Sequence, residues 1–285
     1  MAQFINQATI SYTGGEASSN IVTGEITQAI VMTKDSAQEC YRQGDTLTYV
    51  ISLRNTGAAA FTGLTLTDNL GKYAFGEGDL VPLEYAGLVL YYVNGVLQPT
   101  PAVTPGPPLS ISGISIPAGG NAAIVYRVRA GETAPLGEEA TITNTVALTG
   151  EGLITPVTAE ASVGACTGAL LAITKALSPT SVTENGTLTY TFTITNTGST
   201  PADAAAGIVF SDTFDPILKN ISVTLNGTAL SEAGNYTYNA ATGLFTTTAG
   251  VITVPAATYV RDAVTGAYNV TPGAKGATFT AVQKL

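Results

Sequence analysis

The sequence contains no histidine and no tryptophan, and only two cysteines among its 285 residues. Without histidine the usual general base at neutral pH and the commonest metal ligand are both missing. Two cysteines cannot close a tetrahedral zinc site, and no metal is expected. Ser-His and Cys-His nucleophiles are excluded on the same ground. Charge is scarce as well. Only 11% of the residues are charged, against roughly 25% in an average domain. Those few are unbalanced, with 11 Lys or Arg against 20 Asp or Glu and a net charge of −9. The basic field that a phosphate backbone requires is absent, so nucleic acid is excluded as a partner. No apolar run approaches the roughly 18 residues of a membrane span, and membrane insertion is not expected. The stretch from Met1 to Asn6 has neither the basic nor the apolar region of a secretory signal, which leaves a removed leader or another export route.

What the sequence does have is apolar, β-branched and rich in turn formers. It is 45% hydrophobic, too apolar for disorder, and holds 45 Thr, 31 Gly and 14 Pro. That mixture favours short strands joined by turns over long helices. The expected class is all-β.

Self-comparison sharpens this, because an internal repeat changes the whole fold reading. The segment from Lys34 to Tyr49 aligns without gaps on that from Lys175 to Tyr190, both ending in Gly-X-Thr-Leu-Thr-Tyr or its close variant Asn-Gly-Thr-Leu-Thr-Tyr. The match continues through Asn55-Thr-Gly57 and Asn196-Thr-Gly198, then Leu64 to Asp68 and Ile208 to Asp212, and Ile114 to Pro117 and Ile252 to Pro255. Leu47, Tyr49, Ile51 and Leu53 alternate onto one strand face, and Leu188, Tyr190, Phe192 and Ile194 repeat it. Turn signals at Val93-Asn-Gly and Leu225-Asn-Gly separate short strands at sandwich spacing. Two tandem immunoglobulin-like β-sandwiches are expected.

The second repeat is short by one hairpin. Repeat 1 closes with Thr141 to Thr149, a turn at Gly150 to Gly152, and a last strand near Pro156 to Val163. Repeat 2 ends before any such pair, and the matching phrase stands at the other terminus, where Phe4 to Ser11 resembles Ile142 to Thr149. The expected organisation is therefore a donor hairpin at 1–28, a complete repeat at 29–165 and an incomplete repeat at 166–285. Phe4, Ala8 and Ile10 would enter the core of repeat 2 in a neighbouring copy, as Ile142, Val146 and Leu148 enter that of repeat 1. Cys40, after the first strand of repeat 1, and Cys166, after its last, fall at one end of a sandwich. A disulfide between them and two free thiols are both open readings. The acids Glu77, Asp79, Asp212 and Asp215 lack the spacing of a calcium loop, so solvated charges are expected. Tyr91-Tyr92 and Phe210 read as packing residues before a sugar platform. No residue set supports an enzyme, and no cofactor is expected.

The phrases Gly-Asp-Thr-Leu-Thr-Tyr49, Arg-Asn-Thr-Gly57, Leu-Thr-Asp68, Ile-Thr-Asn-Thr-Val146 and Ile-Thr-Lys175 resemble the bacterial surface repeat catalogued as domain of unknown function eleven. The two-unit layout is similar to proteins of Gram-positive anaerobes. The resemblance implies an extracellular subunit of a filament on a cell or spore surface, a homopolymer built head to tail. A second likeness is to isopeptide-forming pilin domains, which implies roles for Lys34, Asp68 and Asn144 in repeat 1 and for Lys175, Asp212 and Asn6 across two copies. In that chemistry a neutral lysine amine attacks the asparagine carboxamide while a protonated acid polarises it. The plainer reading has an exposed lysine, a turn-capping aspartate and a loop-bound asparagine. The alternative function is a monomeric cell-surface adhesin or carbohydrate-binding module.

Overall fold

The computed structural model describes residues 2–183, 186–273 and 278–284. The N-terminal segment holds β1 (Ala2–Asn6), β2 (Thr9–Tyr12), β3 (Gly15–Ser18) and β4 (Val22–Ile26). Next come β5 (Ile30–Ser36), β6 (Cys40–Tyr41), β7 (Thr46–Asn55), β8 (Phe61–Asp68), β9 (Tyr73–Phe75), β10 (Gly78–Leu80) and β11 (Leu83–Val93). They are followed by β12 (Val96–Leu97), β13 (Ala102–Thr104), β14 (Leu109–Ile116), β15 (Asn121–Ala130), β16 (Thr141–Thr149) and β17 (Val157–Ala165). The C-terminal part holds β18 (Leu171–Ser178), β19 (Thr187–Asn196), β20 (Ser211–Thr213), β21 (Lys219–Leu225) and β22 (Thr228–Ala229). It ends with β23 (Tyr236–Asn239), β24 (Leu244–Thr247), β25 (Thr258–Arg261), β26 (Tyr268–Thr271) and β27 (Thr278–Lys284). The chain divides into two units, Met1–Ala134 with Thr141–Gly164, and Pro135–Ala140 with Ala165–Leu285.

In unit 1 the strands build an immunoglobulin-like sandwich. One sheet has the order β12-β11-β15-β7-β5 and the other β13-β14-β8-β16-β17-β6. Strict alternation along β7 sends Leu47, Tyr49, Ile51 and Leu53 inward, all fully buried. Ile124, Tyr126 and Val128 of β15 do the same beside them. The facing sheet contributes Leu64 and Leu66, Ile111 and Ile114, and Ile142, Val146 and Leu148. The β11–β12 hairpin turns on Asn94 and Gly95 at φ 47 and 79, the left-handed pair that Asn-Gly adopts at little steric cost.

Unit 2 repeats the first of these sheets strand for strand. Its order β18-β19-β27-β21-β22 matches β5-β7-β15-β11-β12. The register matches too, since Lys34 pairs with Ile51 and Lys175 with Phe192, while Tyr49 pairs with Tyr126 and Tyr190 with Ala281. The second sheet is truncated. Its order β23-β24-β20 matches β13-β14-β8 and then stops, where unit 1 continues into β16, β17 and β6. In unit 1 the β16 residues Val146 to Thr149 pair with Asp68 to Thr65. Among the described residues, the corresponding edge of β20 carries no strand.

A row of β18 lies open. Ile30 and Met32 of β5 are 2% and 8% exposed, but their counterparts Leu171 and Ile173 are 39% and 52% exposed. Further inside, unit 2 still has a core, in which Phe192, Phe210, Phe214 and Phe245 pack ring on ring around Ile252 and Val254.

The N-terminal residues form a two-stranded ribbon, with β1 on β4 and β2 on β3. The sequence suggested one uninterrupted strand from Phe4 to Ser11. The structure breaks it at Gln7 and Ala8, where the Gln7 side chain donates to the Ser19 carbonyl and the Ala8 N–H donates to the Ser19 hydroxyl. With no sheet beside it, the ribbon uses side-chain-to-backbone bonds that a continuous ladder would displace.

Candidate functional site

The two sheets of unit 1 meet around a buried polar cluster. Lys34 comes from β5, Tyr49 from β7 and Tyr126 from β15, all in the first sheet, while Asp68 ends β8 and Asn144 lies on β16 of the second. Lys34, Asp68 and Asn144 are all buried. Lys34 Nζ donates to Asp68 Oδ2 at 2.6 Å, and the Tyr126 hydroxyl donates to the same oxygen. The other carboxyl oxygen accepts from the Leu70 N–H at 2.8 Å. Asn144 Oδ1 accepts from the Gly71 N–H at 3.1 Å, which fixes the carboxamide. Among the described residues its Nδ2 makes no hydrogen bond of ordinary geometry, nor does the Tyr49 hydroxyl, although both are buried. A buried unpaired amide nitrogen costs about 1–3 kcal/mol, and expelling that nitrogen would remove the cost.

The electrostatics favour a reactive amine. Burial pulls the Lys34 ammonium down to about 8, against the opposing attraction and hydrogen bond of Asp68. The ring of Tyr49 lies 4.6 Å from Nζ and excludes water from that side. Burial also pushes the Tyr126 hydroxyl upward, reinforced by the Asp68 charge, so it stays protonated and able to donate. Taken together, the five residues offer an amine that loses its proton easily, an acid beside it, and a carboxamide held in a dry core. The chemistry that fits is amide exchange, with Lys34 Nζ replacing the Asn144 nitrogen.

Unit 2 carries the same pair in an open setting. Lys175 Nζ donates to Asp212 Oδ2 at 2.6 Å. Rings of Tyr190, Phe192 and Phe214 stand 4.9, 5.2 and 5.5 Å from that nitrogen. The Lys175 side chain is nevertheless 44% exposed, whereas that of Lys34 is 0% exposed. Asn6 is an exposed residue of β1 in the ribbon, with Phe4, Ala8 and Ile10 exposed beside it. The structure therefore brings Lys34, Asp68 and Asn144 together, and pairs Lys175 with Asp212.

The remaining sequence candidates fall as follows. Both cysteines are disulfide-bonded, and with two in the chain Cys40 and Cys166 are each other's partner. No group of acidic, cysteine or histidine residues suited to a metal occurs among the described residues. Asp79 forms an exposed ion pair with Lys72. Tyr91 packs inward with its hydroxyl on the Ser115 backbone, and Phe210 lies in the unit 2 core. Sequence reasoning missed Tyr126 as a member of the cluster. Its one signal was the alternation of Ile124, Tyr126 and Val128, which marks a core face and leaves its partner unstated.

No protein-family model matches the chain, and no curated protein matches it. Among solved structures it is similar to the major pilin subunit BcpA of Bacillus cereus, at 11% identity over 97% of this chain and 73% of that one, with a TM-score of 0.36. It is similar to the pilus backbone RrgB of Streptococcus pneumoniae, at 14% identity over 87% of this chain and 56% of that one, with a TM-score of 0.34. The collagen-binding subdomain ACE19 of the Enterococcus faecalis surface protein ACE is 5% identical over 48% of this chain and 99% of that one, with a TM-score of 0.31. No helix among the described residues is long and apolar enough to cross a membrane.

Proposed function

We propose that the chain is a structural subunit of an extracellular filament on a cell or spore surface, and that it polymerises head to tail. Residues 1–28 of one copy complete unit 2 of the next by donor-strand pairing. The observation that carries this reading is the unequal pair of sandwiches. The row Ile30, Met32 and Lys34 is buried in unit 1, whose second sheet continues from β8 into β16 and β17; its equivalent in unit 2 lies open, the described second sheet ends at β20, and the sequence equivalent of β16 is the ribbon. An open apolar row beside an unpaired strand edge is an aggregation hazard unless a defined partner fills it.

Attachment of the ribbon to unit 1 argues against self-completion. Only Thr27, Gln28 and Ala29 separate β4 from β5. They line a cleft with Phe61 and residues 152–155, at the end of unit 1 where β16 turns into β17. The chain leaves unit 1 at the far end of β17, about 30 Å away by strand rise. Three residues reach about 10 Å at most. A ribbon seated in the next copy makes a heterologous contact, and such contacts propagate into a fibre unless they close a ring.

Within each subunit, Lys34 and Asn144 join in an isopeptide bond that staples the two sheets of unit 1. The Cys40–Cys166 disulfide suits an oxidising location outside the cell. The chain acts as material and not as an enzyme. Negative-stain microscopy tests the reading: full-length protein should form fibres, and protein lacking residues 1–28 should not. Fibres from the truncated chain would overturn the donor assignment. Full-length protein that stays monomeric at high concentration would favour an adhesin that completes itself.

A further inference from the structure

We infer that unit 2 holds half of a second cross-linking site, which the next copy completes: Lys175 of one subunit forms an amide bond with Asn6 of its neighbour. The inference rests on the donor-strand reading, and extends it from a packed junction to a covalent one.

Three observations place the reacting groups. First, the Lys175–Asp212 contact reproduces the Lys34–Asp68 contact at the same 2.6 Å, on matching strands in matching register. Second, the aromatic wall around Lys175 is already in place, with Tyr190 standing where Tyr49 stands in unit 1. The Lys175 side chain is still 44% exposed. Third, the register of β16 on β8 puts Val146 opposite Asp68, with Asn144 two residues away on the same face. Transferred to the ribbon, this register sets Ala8 opposite Asp212 and Ile10 opposite Phe210, and delivers Asn6 to the position of Asn144. Docking requires β1 and β2 to join into one strand, which means releasing the Gln7 and Ala8 bonds to Ser19.

The step balances without any oxidant or co-reactant. Burial under the ribbon strips water from Lys175, and its proton passes to Asp212. The neutral amine attacks Asn6 Cγ while the Asp212 carboxyl donates to the carbonyl oxygen. Asp212 then gives that proton to the departing nitrogen and takes up the one shed by the attacking Nζ, the original Cγ–N bond breaks, and one ammonia leaves for each Cγ–Nζ bond formed. On the donor-strand reading Asn6 reaches Lys175 only in a neighbouring copy, so a free subunit stays unreacted and the bond forms only after assembly. One difference from unit 1 bears on rate. The register position of Tyr126, which donates to Asp68, is occupied by Ala281 in unit 2. Alanine carries no phenol, so the junction should close more slowly than the bond within unit 1.

Fibres boiled in detergent and reductant test this. A ladder of covalent multimers is expected, with a tryptic species that joins the Lys175 and Asn6 peptides and is lighter than their sum by one ammonia. Lys175→Arg, Asp212→Ala and Asn6→Ala should each abolish the ladder while fibres remain visible by microscopy. Lys34→Arg should leave the ladder and restore only the ammonia lost within unit 1. A synthetic 1–28 peptide mixed with full-length protein gives a second readout, a covalent adduct that does not require fibre growth. Fibres that boil to monomers, together with no peptide adduct, would overturn the bond and leave the filament reading standing. Absence of fibres with an adduct present would instead sink the filament reading and keep the bond.

Discussion

Replacing Asn144 by alanine removes the carbonyl acceptor in unit 1 and should convert a stapled sandwich into an ordinary one. The cost follows from chain entropy. A bond between Lys34 and Asn144 closes a loop of roughly 110 residues, which by the cross-link relation stabilises by about 5 kcal/mol at 25 °C. The disulfide between Cys40 and Cys166 already constrains the same region. The shortest path between residues 34 and 144 then runs through that bridge and is only about 30 residues, so the increment falls to about 3.5 kcal/mol. The complete repeat at 29–165 has 137 residues and an unfolding entropy of about 0.3 kcal/mol/K. Asn144→Ala should therefore lower its Tm by about 12 °C with the disulfide intact and by about 17 °C after reduction. Loss of the hydrogen bond to Gly71 alone amounts to about 1 kcal/mol, or about 3 °C. Calorimetry under both redox conditions, paired with intact mass, separates these outcomes. A wild-type mass equal to the sequence mass, or a drop near 3 °C that reduction does not enlarge, would refute the bond.

Three further outcomes are expected. In the Asn144→Ala protein the Lys34 amine stays free, with its folded-state value lowered to about 8 from 10.5. Between those values the unfolded chain binds a proton that the folded chain does not, so stability should rise with pH by about 3 kcal/mol, read from urea titrations. Wild-type protein with the amine consumed should show no such rise. Tyr126→Phe removes the phenolic donor to Asp68 and should slow ammonia loss during refolding about tenfold; an unchanged mass time course would leave Tyr126 as packing only. Ile10→Asp places an unpaired carboxylate in the apolar slot beside Phe210, a cost of several kcal/mol, and should raise the protein concentration needed for fibres at least a hundredfold. Growth at the wild-type threshold would show that Ile10 stays outside the junction.

How far the sequence reached depends on how local each signal is. Alternation along β7 and β19 marks the core faces directly, because a strand repeats every two residues. The repeat then located Lys34 and Asp68 against Lys175 and Asp212, since a duplicated phrase carries positional information that composition lacks. Asn144 was singled out through the likeness to isopeptide-forming pilin domains, since the phrase around it marks only a late strand. Tyr126 stayed hidden for a different reason. Its meeting with Asp68 depends on β15 pairing with β7 in one register and on the two sheets facing each other, and neither relation leaves a mark within ten residues of Tyr126. Short strands such as β6 and β22 owe their conformation to longer neighbours and have no period of their own to read. The break in the ribbon at Gln7 was invisible because the sequence match compared it with β16, a strand flanked on both sides. An isolated two-stranded ribbon is marginal in water, so its local polar bonds decide its shape until a sheet edge replaces them.

That marginality has a direct bearing on assembly. Phe4 and Ile10 are 53% and 65% exposed in the free ribbon, and burying what remains of the two side chains contributes about 2–4 kcal/mol. Backbone pairing along β20 and cover of the β18 row add to it, while the broken strand at Gln7 must straighten. Docking is then favourable but reversible on its own, because ordering the ribbon consumes part of the gain. A fibre held only by these contacts would exchange subunits with dilution. A covalent step after docking changes the regime: each junction is tested by fit first and fixed second, so a misregistered ribbon, which cannot present Asn6 to Lys175, is released before it is locked. Thr27 to Ala29 line a cleft with Phe61 and residues 152–155, and the Ala29 carbonyl accepts from the Thr56 N–H and hydroxyl, which supplies the remaining constraint. With the base of the ribbon held there, its direction relative to unit 1 is set before it meets a partner, and less orientational freedom is lost on binding. A glycine insertion between Gln28 and Ala29 should loosen that direction and yield curved or irregular fibres while leaving the boiled ladder intact. Straight fibres of unchanged width from the insertion variant would show that the cleft does not orient the ribbon.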